Sequence, residues 1–203
     1  MLYLITPQPG GRDAEFLRAL RASLAEQAPG SLLVQFRAHG LEPGHWHALA
    51  GQVLACCAAH DAPLLLGAGG LARAAPARVF RSLRELGAQG LHLPSRMLDQ
   101  PAWREACGDV AREILLAASC HDAAQLDAAA GLGAALATVS PVLPTASHPG
   151  ATTLGWAGLA RLCHDALPAV YALGGLGPRH LEAARAAGAH GVAGIRAFWA
   201  GNA

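Results

Sequence analysis

The sequence alternates between short apolar runs and segments of helical spacing, and it does so eight times. Each run is followed by a segment whose apolar residues recur at the helical period, the last being a short terminal helix. Strands that alternate with helices in this way form parallel βαβ units. Eight units predict an α/β fold, a single (β/α)8 TIM barrel that forms one domain over residues 1–203. The predicted strands are 2–6, 31–38, 63–67, 90–93, 114–119, 134–140, 169–175 and 191–195.

An open, doubly wound sheet is the alternative topology for the same alternation. In dinucleotide-binding sheets of that kind, a G-x-G-x-x-G turn follows the first strand. The segment "LYLITPQPGGRD" at 2–13 contains no such turn. The closed barrel is therefore the favoured architecture.

Composition excludes several classes of function. The chain is 53% apolar and 14% charged with a net charge of +1, which favours a compact domain and argues against nucleic acid or a membrane surface as partner. All fifteen basic residues are arginine, so neither a Schiff-base lysine nor a P-loop lysine can form. Five cysteines without CxxC spacing predict buried, reduced thiols and a cytoplasmic location.

Polar side chains alternate along "VQFRAHG", at the end of the second predicted strand. Gln35, Arg37 and His39 lie at i, i+2 and i+4, so an extended strand places all three on one face. In a closed barrel that face points inward. We therefore predict that the three residues reach the barrel mouth and bind substrate, with an outward polar stripe as the alternative.

The fifth predicted strand ends in "SCHD". If the strand stays extended, Ser119 and His121 share a face and form a candidate pair for proton transfer. The alternative is that Asp122 caps the next helix while His121 packs beside it. Cys120, which points the other way, is expected to be a small buried residue.

Hydroxyls and a histidine follow the sixth predicted strand, and glycines lie at the ends of the seventh and eighth. Hydroxyls and backbone amides donate well to phosphate, and glycine lets the backbone approach a ligand closely. Barrels often bind phosphate between the loops after strands seven and eight. A phosphate-ester site is therefore predicted, with tight turns and helix caps as the alternative. Its residues are Thr145, Ser147, His148, Gly174, Gly175 and Gly194.

Four histidines fall at or near strand ends, which raises zinc or iron as an alternative. They are His39, His92, His121 and His148. They show no HxH or HxxxH spacing, and few carboxylates lie near them. We predict no metal site.

A family resemblance links these motifs. "LYLIT", "VQFR", "GLHL", "SCH", "SPVLPTAS", "VYALGGL" and "GVAGI" occur in order with barrel spacing. In this respect the chain resembles the thiamin phosphate synthase and TenI-like family from end to end. It is most similar to the TenI-like portion fused to Nudix hydrolases in some bacteria. The resemblance implies a small-molecule phosphate ester as ligand, pairing into a homodimer, and a Nudix hydrolase as a partner.

The chain departs from the family where the synthases bind pyrophosphate and magnesium. Gln35 and Arg37 match the QxRxK motif for pyrophosphate, but His39 replaces its lysine. Where the family has an Asn-Asp pair and a further aspartate for magnesium, this chain has the residues Gly67, Ala68 and Met97.

The thiazole-phosphate half of the family site is retained. Thr145 and Ser147 keep the hydroxyls of the PTxTK motif, whose lysine is replaced by His148. The glycine pair after strand seven and the Gly194–Ile195 backbone also remain, which makes Ile195 a further phosphate-binding candidate. Arg196 follows, where the family usually has serine.

The resemblance and its departures together predict a TenI-like barrel that binds a thiazole phosphate-type ligand. We expect a metal-independent aminothiazole tautomerase without a cofactor, in which His121 carries the proton. Thiamin phosphate synthase, which would require magnesium, is one alternative. A non-catalytic ligand-binding module of a Nudix partner is the other.

Overall fold

The structure, a computed structural model, describes residues 1–71, 75–110, 113–145 and 150–200. Its strands pair in chain order, every pair is parallel, and the last strand pairs with the first. The predicted (β/α)8 TIM barrel is thus confirmed. The strands are β1 Leu2–Ile5, β2 Leu32–Phe36, β3 Leu64–Gly67, β4 Gly90–Leu93, β5 Leu115–Cys120, β6 Leu136–Val139, β7 Ala169–Ala172 and β8 Gly191–Gly194.

Seven α-helices lie within the described ranges. They are α1 Asp13–Ala25, α2 Pro43–Ala58, α3 Pro76–Leu86, α4 Pro101–Val110, α5 Ala123–Gly131, α6 Gly155–His164 and α7 Leu181–Ala186. The expected terminal helix is instead a 3-10 turn, Arg196–Phe198, after which the backbone is extended at Trp199. A search of the described residues finds no helix with the length and apolar character needed to cross a bilayer.

Side chains of the strands alternate between two cores. The residues that point outward pack against the helices, as do Phe16, Leu20 and Leu24 on the inner face of α1. The barrel interior is filled by a separate cluster, as expected for a packed barrel and not a pore. Its buried members are Tyr3, Ile5, Leu33, Leu65, Ala117, Tyr171 and Ala193.

Two strands end two or three residues earlier than the sequence predicts, and both ends lie at the barrel mouth. β2 stops at Phe36, so Arg37 and His39 belong to the following loop. β7 stops at Ala172 because Gly174 and Gly175 have left-handed φ angles of 98° and 68°, which an extended strand does not permit. Because the strands end early, Arg37, His39, Gly174 and Gly175 lie in loops at the barrel mouth.

Candidate functional site

An open cavity of about 770 Å³ lies at the carboxyl ends of β5 to β8. Five of the predicted site residues contribute to its lining along with the catalytic candidate His121. They are Thr145, Gly174, Gly175, Gly194 and Ile195. The structure therefore brings together the histidine after β5 and the phosphate candidates after β6, β7 and β8. Ser147 and His148 lie outside the described residues, so their contacts stay predictions.

The loops after β6 and β7 are held to each other by backbone hydrogen bonds. The amide of Val142 donates to the carbonyl of Leu173 at 2.9 Å. The amide of Leu143 donates to the carbonyl of Gly174 at 3.0 Å. On the far side of the β6 loop, Leu154 donates to the carbonyl of Pro141 at 2.9 Å. The base of the cavity is therefore a connected backbone frame, which suits a site that must present amides in a fixed direction.

Glycine is required at both positions after β7. A Cβ on Gly174 would lie 2.8 Å from the Cα of Pro141, and one on Gly175 would lie 2.4 Å from the carbonyl oxygen of Pro144. Both distances are shorter than the non-bonded contacts that a Cβ atom makes in proteins, and both φ angles are left-handed. The tight-turn interpretation thus holds here, and the same turn forms part of the cavity wall.

His121 stands directly after β5, with its ring held by a carbonyl. Its Nδ1 lies 2.7 Å from the backbone oxygen of Ser140. Since a carbonyl only accepts, Nδ1 carries the hydrogen, and Nε2 carries the lone pair of the neutral ring. The backbone of His121 is fixed by a 2.9 Å bond to Oε1 of Gln125. Asp122 caps α5 by accepting from the Gln125 amide at 2.8 Å, which confirms the predicted cap.

The expected pairing of Ser119 with His121 is wrong. The Ser119 hydroxyl is hydrogen-bonded to Nε2 of His92 at 2.8 Å, and the Tyr3 hydroxyl to Nδ1 at 2.8 Å. Ser119 faces the barrel interior, where His92 arrives from the neighbouring strand β4, whereas His121 has left β5 and turned to Ser140. Burial lowers the pKa of His92 to about 3, so that ring is neutral at ordinary pH.

The cysteines behave as packing residues. All five thiols are free, and Cys120 is buried with its Sγ 3.4 Å from the carbonyl of Gln125. Burial raises the pKa of Cys120 to about 12, so its thiol stays protonated. The prediction of Cys120 as a small buried residue is confirmed.

Of the three candidates in or after β2, only Gln35 points into the barrel. It is buried, and its Oε1 has no hydrogen-bond partner within the described ranges. Arg37 and His39 follow the strand, and their amides are held at 2.9 Å by the side chains of Thr6 and Gln8. Neither residue lines the cavity. Their substrate-binding role stays a prediction.

The positions assigned to magnesium do not fit that ion. A Cβ on Gly67 would lie 3.0 Å from the carbonyl oxygen of Phe36 and 3.2 Å from Nε2 of Gln35, so a longer side chain has little room. Ala68 is fully buried, and Met97 is buried in the outer core. Across the described ranges, no cluster of three or more His, Cys, Asp or Glu residues could hold a metal ion.

The cavity is electropositive. Arg179, Arg196, His121 and His180 contribute to its lining, and no carboxylate does so among the lining residues that the structure describes. Sequence reasoning noticed Arg196 only as a departure from the family and missed Arg179 and His180. The signal in the sequence was "GLGPRH" at 175–180, in which Arg179 and His180 follow the glycine turn after β7.

Comparisons with known proteins cover almost the whole chain. The family model described as thiamine monophosphate synthase matches residues 2–198. A thiamine-phosphate synthase of Salinispora tropica is 32% identical over 199 residues, which make up 97% of this chain and 88% of the relative. A protein of Aquifex aeolicus named "Putative thiamine-phosphate synthase 2" is 28% identical over 197 residues, 97% of this chain and 96% of the relative.

A solved structure supports the fold. Thiamine phosphate pyrophosphorylase from Pyrococcus furiosus is similar with a TM-score of 0.71 at 20% identity, and the match covers 96% of this chain and 84% of that one. At that identity the likeness concerns the barrel and not its chemistry.

Proposed function

The chain belongs to the thiamine monophosphate synthase family, and on that premise we propose that its cavity binds a thiazole-type phosphate ester and isomerises it by proton transfer without a metal. The membership makes the protein a barrel of thiamin metabolism. The proposal depends on one contrast. The cavity at β5–β8 is electropositive, whereas the positions that the family uses for magnesium have no metal-binding side chains.

The ligand class follows from the charge and shape of the cavity. Arginine guanidinium groups pair with phosphate through several parallel hydrogen bonds, and Arg179 and Arg196 both line this space. The glycine turns at Gly174 and Gly175 bring backbone close to any ligand there. A phosphate ester fits these groups, whereas a cationic ligand does not.

The reaction follows from His121. With Nδ1 donating to Ser140, the neutral ring has its basic nitrogen at Nε2, and the residue lines the cavity. In the proposed reaction Nε2 takes a proton from the bound thiazole compound and returns it to a different atom. The product has the same composition as the substrate, and neither lysine nor a metal takes part.

Thiamin phosphate synthesis is the second candidate, and the comparisons favour it over isomerisation. Both curated relatives are named as thiamine-phosphate synthases, and the solved structure is a thiamine phosphate pyrophosphorylase. Departure of pyrophosphate requires its charge to be neutralised, which magnesium does in many phosphoryl enzymes. The residues Gly67, Ala68 and Met97 have no side chain that could bind that ion.

The test measures both reactions with the same preparation. Isomerisation of thiazole carboxylate phosphate is followed in the presence of EDTA. Thiamin phosphate formation is followed with thiazole phosphate, hydroxymethylpyrimidine pyrophosphate and magnesium. We expect the first reaction to proceed and the second to stay at background. Thiamin phosphate formation without isomerisation would favour the synthase, and binding without either product would favour a non-catalytic module of a Nudix partner.

A substitution tests the role of His121 in that assay. His121→Ala should lower kcat for isomerisation by about 100-fold or more, because general acid–base catalysis contributes at least that much. His164→Ala is the matched control, since His164 ends α6 with its side chain 83% exposed and does not line the cavity. Equal rates for the two variants would contradict the proposal.

A further inference from the structure

A second histidine of the cavity, His180, is held by a backbone amide. It closes the 3-10 turn Pro178–His180 that follows the glycines of β7, and it is half-buried. The amide of Gly177 lies 3.0 Å from Nδ1 of His180. An amide only donates, so Nδ1 accepts and carries no hydrogen. In the neutral ring the hydrogen is therefore on Nε2.

The two cavity histidines thus have opposite tautomers. His121 has its Nδ1 against the Ser140 carbonyl, which leaves a lone pair at Nε2. His180 has its Nδ1 against the Gly177 amide, which leaves an N–H at Nε2. Both residues line the same cavity of about 770 Å³. One ring is therefore built to accept a proton and the other to donate a hydrogen bond.

The hydrogen bond from the Gly177 amide requires an Nδ1 of His180 that carries no hydrogen. A proton added at Nδ1 would place two N–H groups against each other and break the hydrogen bond to the amide. Arg179 is its chain neighbour, and Arg196 lines the same cavity. The Trp156 ring lies with its centroid 6.4 Å from that of His180 and bears no charge.

We propose that neutral His180 donates a hydrogen bond from Nε2 to the substrate atom on which negative charge develops while His121 holds the transferred proton. This inference rests on the proposed isomerisation. Neutral imidazole acts as an electrophile of this kind in triosephosphate isomerase, where a helix N-terminus plays the part that the Gly177 amide has here.

The proton and charge balance of the step is simple. Nε2 of His121 removes one proton, which makes its ring an imidazolium and leaves an anionic, conjugated substrate. His180 keeps its own hydrogen and stabilises that charge by hydrogen bonding. His121 then returns the same proton to another atom of the conjugated system. Both rings end neutral, and the substrate has only been isomerised.

The first part of the test measures the tautomers in the ligand-free protein. Long-range ¹H–¹⁵N correlation spectra of the ¹⁵N-histidine-labelled chain distinguish a hydrogen on Nδ1 from one on Nε2. We expect the Nε2–H form for His180 and the Nδ1–H form for His121 at neutral pH. A His180 ring with its hydrogen on Nδ1, or a charged ring, would overturn the proposal whatever the protein catalyses.

The second part measures isomerisation kinetics in His180 variants. His180→Leu removes the donor and should lower kcat about 100-fold with little change in KM, since stabilisation of a developing charge acts on the transition state. His180→Gln retains an N–H and should recover part of that loss. His164→Leu is the matched control, and the affinity for inorganic phosphate reports whether each variant still forms the cavity.

The outcomes separate the two proposals. Wild-type isomerisation together with an unchanged kcat in His180→Leu would overturn the role of His180 and leave the proposed function intact. Absence of isomerisation by the wild type would overturn the proposed function and this inference with it. A lower kcat in His180→Leu, partly restored in His180→Gln, with phosphate affinity retained, supports both.

Discussion

The two halves of the barrel mouth are built from different kinds of residue. At β5–β8 an open cavity is lined by glycine turns, two arginines and two histidines. At β2–β4 the corresponding positions hold Gly67, Ala68 and Met97, which are buried against neighbouring backbone or in the outer core. One half has a cavity lined by positively charged groups, and in the other half apolar atoms fill the positions that the family uses for magnesium.

This contrast shows how a symmetric fold can lose one part of a site and keep another. The loops after β6 and β7 are hydrogen-bonded to each other, and the amides after β2 are held by side chains that follow β1. These contacts stay within separate parts of the mouth, so one part can change without loss of the other. His92 marks the boundary, because its ring comes from β4 and is hydrogen-bonded to Ser119 of β5. The proposed binding of a phosphate ester requires only the half at β5–β8.

The largest effect is expected from placing a carboxylate where the family binds magnesium. Met97→Asp should lower the free energy of unfolding by about 3 kcal/mol or more, because Met97 is only 3% exposed and a buried charge without a partner is costly. Met97→Leu, the volume-matched control, should cost less than about 1.5 kcal/mol. Urea unfolding measures both. A stable Met97→Asp protein that binds magnesium would show that this half is an intact metal site.

A smaller effect should appear in the other half, at the turn after β7. Gly175→Ala should cost about 2–3 kcal/mol, since its Cβ would lie 2.4 Å from the carbonyl oxygen of Pro144 at a left-handed φ. Gly11→Ala is the control, with a similar φ of 79° and open space around it, and should cost about 1 kcal/mol. Thermal unfolding compares them. Equal costs would mean that the turn tolerates a side chain and that the cavity wall is not rigid.

His92, at the boundary between the halves, predicts a pH dependence of stability. Its folded pKa of about 3 lies below the usual 6.5, so between these values the unfolded chain binds the proton and the folded chain does not. Stability from this group is therefore complete above pH 6.5 and falls as the pH decreases, by about 2 kcal/mol at pH 5. Unfolding free energies at pH 7 and pH 5 should show this loss in wild type and in His164→Gln, but not in His92→Gln. An unchanged loss in His92→Gln would assign it to other groups.

The smallest effect concerns the positive charge of the cavity at β5–β8. Arg196→Ser restores the residue usual in the family and should weaken binding of thiazole phosphate by about 5–10-fold, because a solvent-exposed arginine contributes a screened, charge-assisted contact. Arg78→Ser on the exposed face of α3 is the control and should leave affinity unchanged. Calorimetry at two salt concentrations measures both variants. A similar effect of the two substitutions would indicate general charge and not a specific contact.

The barrel could be predicted because the sequence pattern that specifies it is local and recurs along the chain. Apolar runs and helical segments recur eight times, and only a few closed arrangements satisfy such a repeat. The ends of elements were less predictable. β7 ends before Gly174 because of packing against Pro141, and that contact depends on a loop more than thirty positions earlier in the chain.

The lining of the cavity could be predicted where the motif itself lies at the end of a strand or in the loop after it, as at Thr145, Gly174 and Gly194. The site could not be predicted where the partner of a residue comes from another strand. Ser119 alternates in phase with His121, yet its hydrogen bond goes to His92, because the interior of a barrel brings strand β4 beside β5. The basic pair in "GLGPRH" was the signal for His180, but the role of its ring depends on the hydrogen bond from the Gly177 amide, which the sequence does not show.

The central claim is that the half at β5–β8 binds a phosphate ester without magnesium, and calorimetric titration of the wild-type protein tests it most directly. Thiazole carboxylate phosphate and hydroxymethylpyrimidine pyrophosphate are each titrated with magnesium and with EDTA. The account predicts that the thiazole compound binds equally in both conditions and that the pyrophosphate shows no magnesium-dependent binding. Magnesium-dependent binding of the pyrophosphate would contradict it and would point to a working synthase whose metal ligands lie elsewhere in the chain.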